Sequence, residues 1–286
     1  MSKRTRTMAP RHVQHSLGSF LLTFTTFVIV LLIFFPVLWI SINAFKTEAD
    51  AYASPPLFIF KPILLNIEHA FGGGEYLHYL FNSISASVGS VLLANVFALP
   101  IAFYMAELKW KRGTDGLFTW VLSTRFMPVV GIILPLYVIF NTLHLLDTKI
   151  GLLLIYTSVS LPLIVVIMRS FFLELPYSII EAAVIEGGGF LTVFTRIVMP
   201  LSVAGISTSS ILAIIFNWNE YFLAVSLNGR NAGTLPIYLA SFITSEGLYW
   251  ANVSGIALLA ILPILIMGWL AQRNIVQGLT LGAVKG

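Results

Sequence analysis

The chain has 286 residues, 58% of them hydrophobic and 10% charged, with a mean hydropathy of +0.92. Soluble domains carry about 25% charged residues, so this composition excludes a water-soluble fold and points to an all-α membrane protein. A net charge of +4 spread over short loops gives no nucleic-acid face, and the absence of cysteine excludes disulfides, thiolate metal sites and a cysteine nucleophile.

A membrane helix needs roughly 20 mostly apolar residues. Six stretches qualify: about 17–42, 79–106, 117–143, 150–171, 200–226 and 251–272. The first follows Lys3, Arg4, Arg6 and Arg11, but it is longer than the core of a signal peptide and no small-x-small site follows, so it reads as a retained span. Residues 43–78, with Pro55, Pro56, Pro62 and three consecutive glycines, read as an external loop, and 107–115 as a compact basic loop. Lysine and arginine place the ends. Eleven fall on the side of the termini (Lys109, Lys111, Arg112, Arg169, Arg196, Arg273 and Lys285 beside the first four). Four (Lys46, Lys61, Lys149 and Arg230) fall opposite. Positive charge stays inside, so both termini and the 172–199 loop are expected in the cytoplasm. Pro36, Pro100, Pro128, Pro135, Pro162 and Pro263 fall in or near the spans and would interrupt or kink them.

The 172–199 loop carries EAAVIEGGGFLTVFTRIVMP over residues 181–200. Ser178 and Glu181 have capping-box spacing, which predicts a short helix starting near Ser178. Gly187, Gly188 and Gly189 end it, and a second short helix runs from about Phe190 to Ile197 until Pro200 opens the next span. Isoleucines are left over for something to cover. Glu181, Ala182, Ala183, Gly187, Ile197 and Pro200 fall on the EAA–G–I-x-L-P signature, and the stretch resembles the cytoplasmic loop of binding-protein-dependent ABC importer permeases. Glu186, Gly188, Met199 and Ala204 depart mildly from that pattern. The resemblance implies that Ser178, Glu181, Ala182, Ala183, Ile185, Gly187, Ile197 and Pro200 form the surface that couples to the ATPase.

No catalytic constellation is present: no phosphate-cradling P-loop, no H-E-x-x-H, no nucleophile elbow, and five histidines at no ligand spacing. Polar residues inside spans remain. Asn217, Trp218, Asn219, Glu220 and Tyr221 lie in the fifth, where a carboxylate costs about 2.5–3.5 kcal/mol and should face a cavity or the bundle interior. Aromatic rings beside amides suit a sugar; the same groups also serve as glue between helices. Arg125 either snorkels to the headgroups or faces a pathway or subunit contact.

FNWNEYFLA over 216–224 and the tail QGLTLGAVKG over 277–286 also resemble carbohydrate-importer permeases, where the tail meets the ATPase dimer. The 228–250 loop, with Leu235, Ile237, Tyr238 and Leu239, is suited to fold back into the pathway mouth; in maltose-type importers a loop here reaches the docked binding protein. Residues 244–250 look similar to the sugar-alcohol branch. The resemblance therefore implies the type I ABC importer permease fold with six spans in a bacterial or archaeal cytoplasmic membrane. It also implies a non-identical second permease, two ATPase subunits holding ATP and Mg, and an extracytoplasmic solute-binding protein, with no cofactor or metal on this chain. An ion-gradient transporter or channel is the alternative, but it would call for paired intramembrane acids or a repeat, and Glu220 stands alone.

Overall fold

The computed structural model describes residues 17–72, 74–112, 115–244 and 247–281. Its spine is two long helices, α4 (Glu75–Arg112) and α7 (Lys149–Glu174), packed along their lengths. The sequence of α4 explains the fit: Ala94, Ala98, Ala102 and Ala106 recur every four residues and are fully buried, so the helix offers a stripe of small residues that lets a neighbour approach closely. The start of α7 is fixed by Thr148, whose hydroxyl accepts from the amide of Gly151 at 3.0 Å. Its end is fixed by Pro176, which holds Leu175 extended. Helix α1 (Leu17–Asn43) contacts α14 (Trp250–Leu281) and otherwise leaves its apolar face bare.

Among the described residues four helices are long and apolar enough to cross a membrane, and counting each of two bent pairs as one span raises the number to six. The third expected span, 117–143, is not one helix. It divides into α5 (Gly116–Thr124) and α6 (Val129–Thr142), which meet at 84° across residues 125–128. The fifth, 200–226, is shorter than expected. α11 (Val203–Trp218) stops before residues 219–221, and α12 (Phe222–Leu227) resumes after them. Of the prolines expected to interrupt spans, Pro128 alone sits at a break, at the cap of α6. Pro36, Pro100, Pro135, Pro162 and Pro263 lie inside helices.

The 43–78 segment is more ordered than its glycines and prolines suggested, holding α2 (Glu48–Ala51) and α3 (Leu65–Gly72). On this side of the molecule, carboxylates are held by backbone amides. Glu48 accepts from Ala251 N (3.0 Å) and Asn252 N (2.9 Å) at the start of α14. Asp147, ahead of α7, accepts from Gly229, Asn231 and Ala232 N at 2.8, 3.2 and 2.9 Å. The loop after α12 folds back as α13 (Leu235–Ala240), anchored by a fully buried Leu235 and by Tyr238 stacked on Tyr79 at 4.9 Å. A two-residue ladder, Ile243–Thr244 with Gly247–Leu248, is the only β structure among the described residues.

Candidate functional site: a surface elbow and a break at mid-span

The 172–199 loop forms an elbow. Its first helix, α8 (Tyr177–Ile185), begins one residue earlier than expected and without the capping box. Pro176 occupies the cap position, and its fixed φ (−59°) presets the first turn. Ser178 is therefore already helical, so neither it nor Glu181 makes a cap bond. The stop is the expected one. Gly187 has φ +87°, Gly187 N donates to Val184 O (3.0 Å), and Gly188 N donates to Ala183 O (2.9 Å). A Cβ on Gly187 would meet nothing within 4 Å, so its backbone angle alone calls for glycine. At Gly188 a Cβ would lie 2.7 Å from Ala183 O, which explains the glycine where the signature usually has alanine.

The second arm does not end at Ile197. It runs as α9 (Phe190–Val193), a π turn (Phe194–Val198) and α10 (Met199–Leu201), straight through Pro200, and breaks at Ser202, where it turns 78° into α11. Proline removes the donor for the carbonyl four residues back and crowds it, here that of Arg196. The wider π turn over that stretch accommodates both effects.

The inner face of the elbow is seated on the spine: Ile180, Ala183, Val193 and Val198 are buried. Phe103 of α4 meets Phe172, Phe190 and Phe194 at 5.7, 5.3 and 5.7 Å. Ile180 is thus covered by the chain's own core and is not one of the residues awaiting a partner. The outer face is bare, with Ile185 86%, Leu191 71% and Val184 52% exposed beside Glu181 and Ala182; Ile197 is half-buried and Pro200 exposed. Trp110 packs on Tyr177 at 5.1 Å. Next to it Asp115 pairs with Lys109 and with the buried Arg169, which lies over the Phe118 ring at 4.1 Å. The bond from Lys109 and the charge of Arg169 hold the Asp115 carboxyl below the ordinary carboxylate range.

Residues 217–221 are separated by the break into different roles. Asn217 is buried and donates to Ser90 Oγ of α4 (2.9 Å) and Ser160 Oγ of α7 (2.8 Å), so it ties three helices together. The Glu220 carboxylate neither crosses to a neighbour nor stands free. It accepts from Leu223 N (3.0 Å) and Ala224 N (3.1 Å), which satisfies the first amides of α12, while its carbonyl accepts from the Tyr156 hydroxyl at 3.1 Å. Trp218, Asn219 and Tyr221 line a cavity of about 530 Å³ walled by α13 and α14. Leu235 and Leu239 of α13, named from the sequence as able to fold back into the pathway mouth, line this cavity, whereas Ser90, Ser160 and Tyr156 were not singled out from sequence. A serine at 83, 87 and 90 on one side of α4 was the available signal.

Arg125 sits at the α5–α6 break, and its Nη1 donates to Val159 O at 3.3 Å. Val159 is ten residues from one end of α7 and fifteen from the other, about 15 and 22 Å at 1.5 Å per residue. The guanidinium is therefore held beside the middle of α7, away from both of its ends. The expected tail contact lies outside the described side chains, as do Ser245 and Glu246 of the 244–250 motif.

An all-helical bundle with broken spans and a rigid surface elbow is the architecture of an ABC importer permease. Residues 98–276 match the model of the binding-protein-dependent transport system inner membrane component family, and the chain belongs to that family. It is a multi-pass inner-membrane permease subunit without an ATPase domain. A probable ABC transporter permease of Sinorhizobium fredii is 34% identical over 88% of this chain and 90% of its own length. The sulfoquinovosyl glycerol transport system permease SmoH of Agrobacterium fabrum is 31% identical over 88% and 89%. In structure, a chain of a bacterial ABC transporter involved in import of the acidic polysaccharide alginate superposes with a TM-score of 0.74 at 19% identity, covering 94% of this chain and 99% of that one.

Proposed function

We propose that this permease pairs with a second, non-identical permease to import a sugar or sugar alcohol by alternating access. Two partner ATPases hold ATP and Mg, and an extracytoplasmic binding protein delivers the cargo. The carbohydrate assignment is supported by relatives and a fold neighbour whose names carry sulfoquinovosyl glycerol and alginate, and by the 216–224 and 244–250 motifs; the latter favour a polyol.

One observation carries the coupling role. The elbow is locked to α4 and α7 by buried side chains on one face, while Ile185, Leu191 and Val184 are bare on the other. Exposed apolar clusters of this kind mark partner sites, and a partner that grips this one moves the spine with it. Ser178, Glu181, Ala182, Ala183, Ile185, Gly187, Ile197 and Pro200 are the coupling residues in this reading. Trp218, Asn219 and Tyr221 are its cargo-facing residues, and Asn217 and Glu220 hold them in place. The test is Ile185→Glu, which alters only the outer face. The variant inserts and folds normally but loses its ATPase in a pull-down and loses uptake. Full ATPase retention with full uptake would remove the elbow from the coupling surface.

A further inference from the structure

A cation at mid-span has few places to be. On insertion scales an arginine there costs about 2.5–3.5 kcal/mol against lipid, so it faces protein or water. Arg125 has no ion pair among the described residues, and its single recorded hydrogen bond uses one of five guanidinium N–H groups. It stands at the rim of a second hollow, of about 240 Å³, with Thr124 and Ser158 beside it. Leu223 from the first turn of α12 forms part of the same wall. Tyr221, two residues earlier, lines the larger cavity. The short stretch at the fifth-span break thus separates the two hollows, and the third-span break opens onto one of them. Irregular backbone at membrane depth is tolerated where it lines a cavity or is buried in protein, and two breaks meeting α7 at about one level fit a path better than a lipid face.

We propose that Arg125 lines the aqueous path at mid-membrane and offers its free N–H groups to the oxygens of the passing cargo, a polyhydroxylated or anionic solute. A planar guanidinium matches paired oxygens, whether of vicinal hydroxyls or of an acid group, in a way that an ammonium does not. The inference rests on the importer reading, so its test must fail separately from that reading.

The chain has no cysteine, which makes single-thiol probes clean once the other subunits are cysteine-free. In membranes containing the whole complex, Thr124→Cys is treated with the anionic sulfonatoethyl and the cationic trimethylammonioethyl methanethiosulfonates. The thiol reacts, and relative to a free thiol the anionic reagent is favoured about tenfold, the size a neighbouring charge produces in a largely aqueous setting. Adding Arg125→Gln abolishes the preference and Arg125→Lys keeps it, while Leu134→Cys on the exposed apolar side of α6 stays unreactive. A silent Thr124→Cys in a complex that retains its ATPase would place Arg125 against protein or lipid and overturn the proposal, as would a preference indifferent to Arg125→Gln. Failure of the unmodified chain to co-purify with an ATPase would instead overturn the importer reading itself.

Discussion

The elbow and the fifth-span break both interrupt apolar helices, and they resolve the interruption in opposite ways. At the break the polar groups are closed on the chain itself: Glu220 on two amides of α12, Asn217 on two serines, Tyr156 on the Glu220 carbonyl. At the elbow the polar groups are ordinary and the apolar ones are left open, with Ile185 86% exposed. The contrast follows from the solvent each region meets. Inside the membrane an unsatisfied polar group costs several kcal/mol because nothing else can bond it. At the aqueous surface an uncovered isoleucine costs far less, and it remains available to a partner.

The largest effect should come from breaking the elbow without touching its faces. Gly187→Val puts a β-branched residue at φ +87° in otherwise open space, at a strain of about 1–2 kcal/mol. That re-aims the second arm against the first. We expect normal insertion and stability of the bundle but loss of most ATPase binding, read by pull-down, and of uptake with it. Retained binding would mean that the two arms act independently.

Asn217→Leu should do the reverse. It removes two interhelical bonds and takes the amide away from Ser160, while Ser90 keeps its bond to Ser87 O, a loss of about 1–3 kcal/mol. The expected outcome is a lower unfolding temperature in detergent, with the ATPase still bound to whatever complex survives. An unchanged midpoint would show that the serines find other partners.

Glu220→Gln is smaller still, since one amide oxygen can keep one of the two bonds; a cap contribution of about 1 kcal/mol is at stake. Hydrogen exchange at Leu223 and Ala224 should quicken while the rest of α11 is unaffected. If the change instead abolishes uptake with α12 intact, the carboxylate touches cargo and the capping account is incomplete.

The smallest effect belongs to Asp115, under the elbow. Its folded carboxyl is held below the ordinary value. Its contribution is therefore present above the unfolded value of about 3.9 and disappears only as pH falls through the lower folded one. Asp115→Asn should lower the detergent melting temperature slightly at neutral pH and flatten the acid limb of the curve, so that variant and unmodified chain converge as pH falls below about 4. A difference that fails to close in acid would contradict that assignment.

What could be read from the sequence divides along the same contrast. The elbow was legible because its determinants are local: three glycines, one helix turn and a fixed spacing describe it. Even there the capping box misled, because the helix starts at Tyr177 behind Pro176 and Ser178 is already inside it, with no side-chain cap made. The break at 219–221 was not legible. Asn217 reads as cavity lining or glue with equal ease until Ser90 and Ser160, 127 and 57 residues away, are seen beside it. The third span concealed its break for a different reason, since Pro128 is one of six similar prolines and nothing local says which one bends the chain. The small-residue stripe of α4 was in plain view, but it names a packing face without naming α7 as the neighbour.

Glu48, Asp147 and Glu220 share a further property: the donors are all main-chain amides, joined in the case of Glu48 by the side chain of Asn252. A point mutation can delete the acid in such a contact, but short of proline it cannot delete the amide. Each anchor is therefore exposed to genetic drift on one side only. The contact itself asks for no particular side chain where the amides are supplied; what restricts Leu223, Ala224, Ala232 and Ala251 is their own burial, and the anchor outlasts any exchange there that keeps the packing.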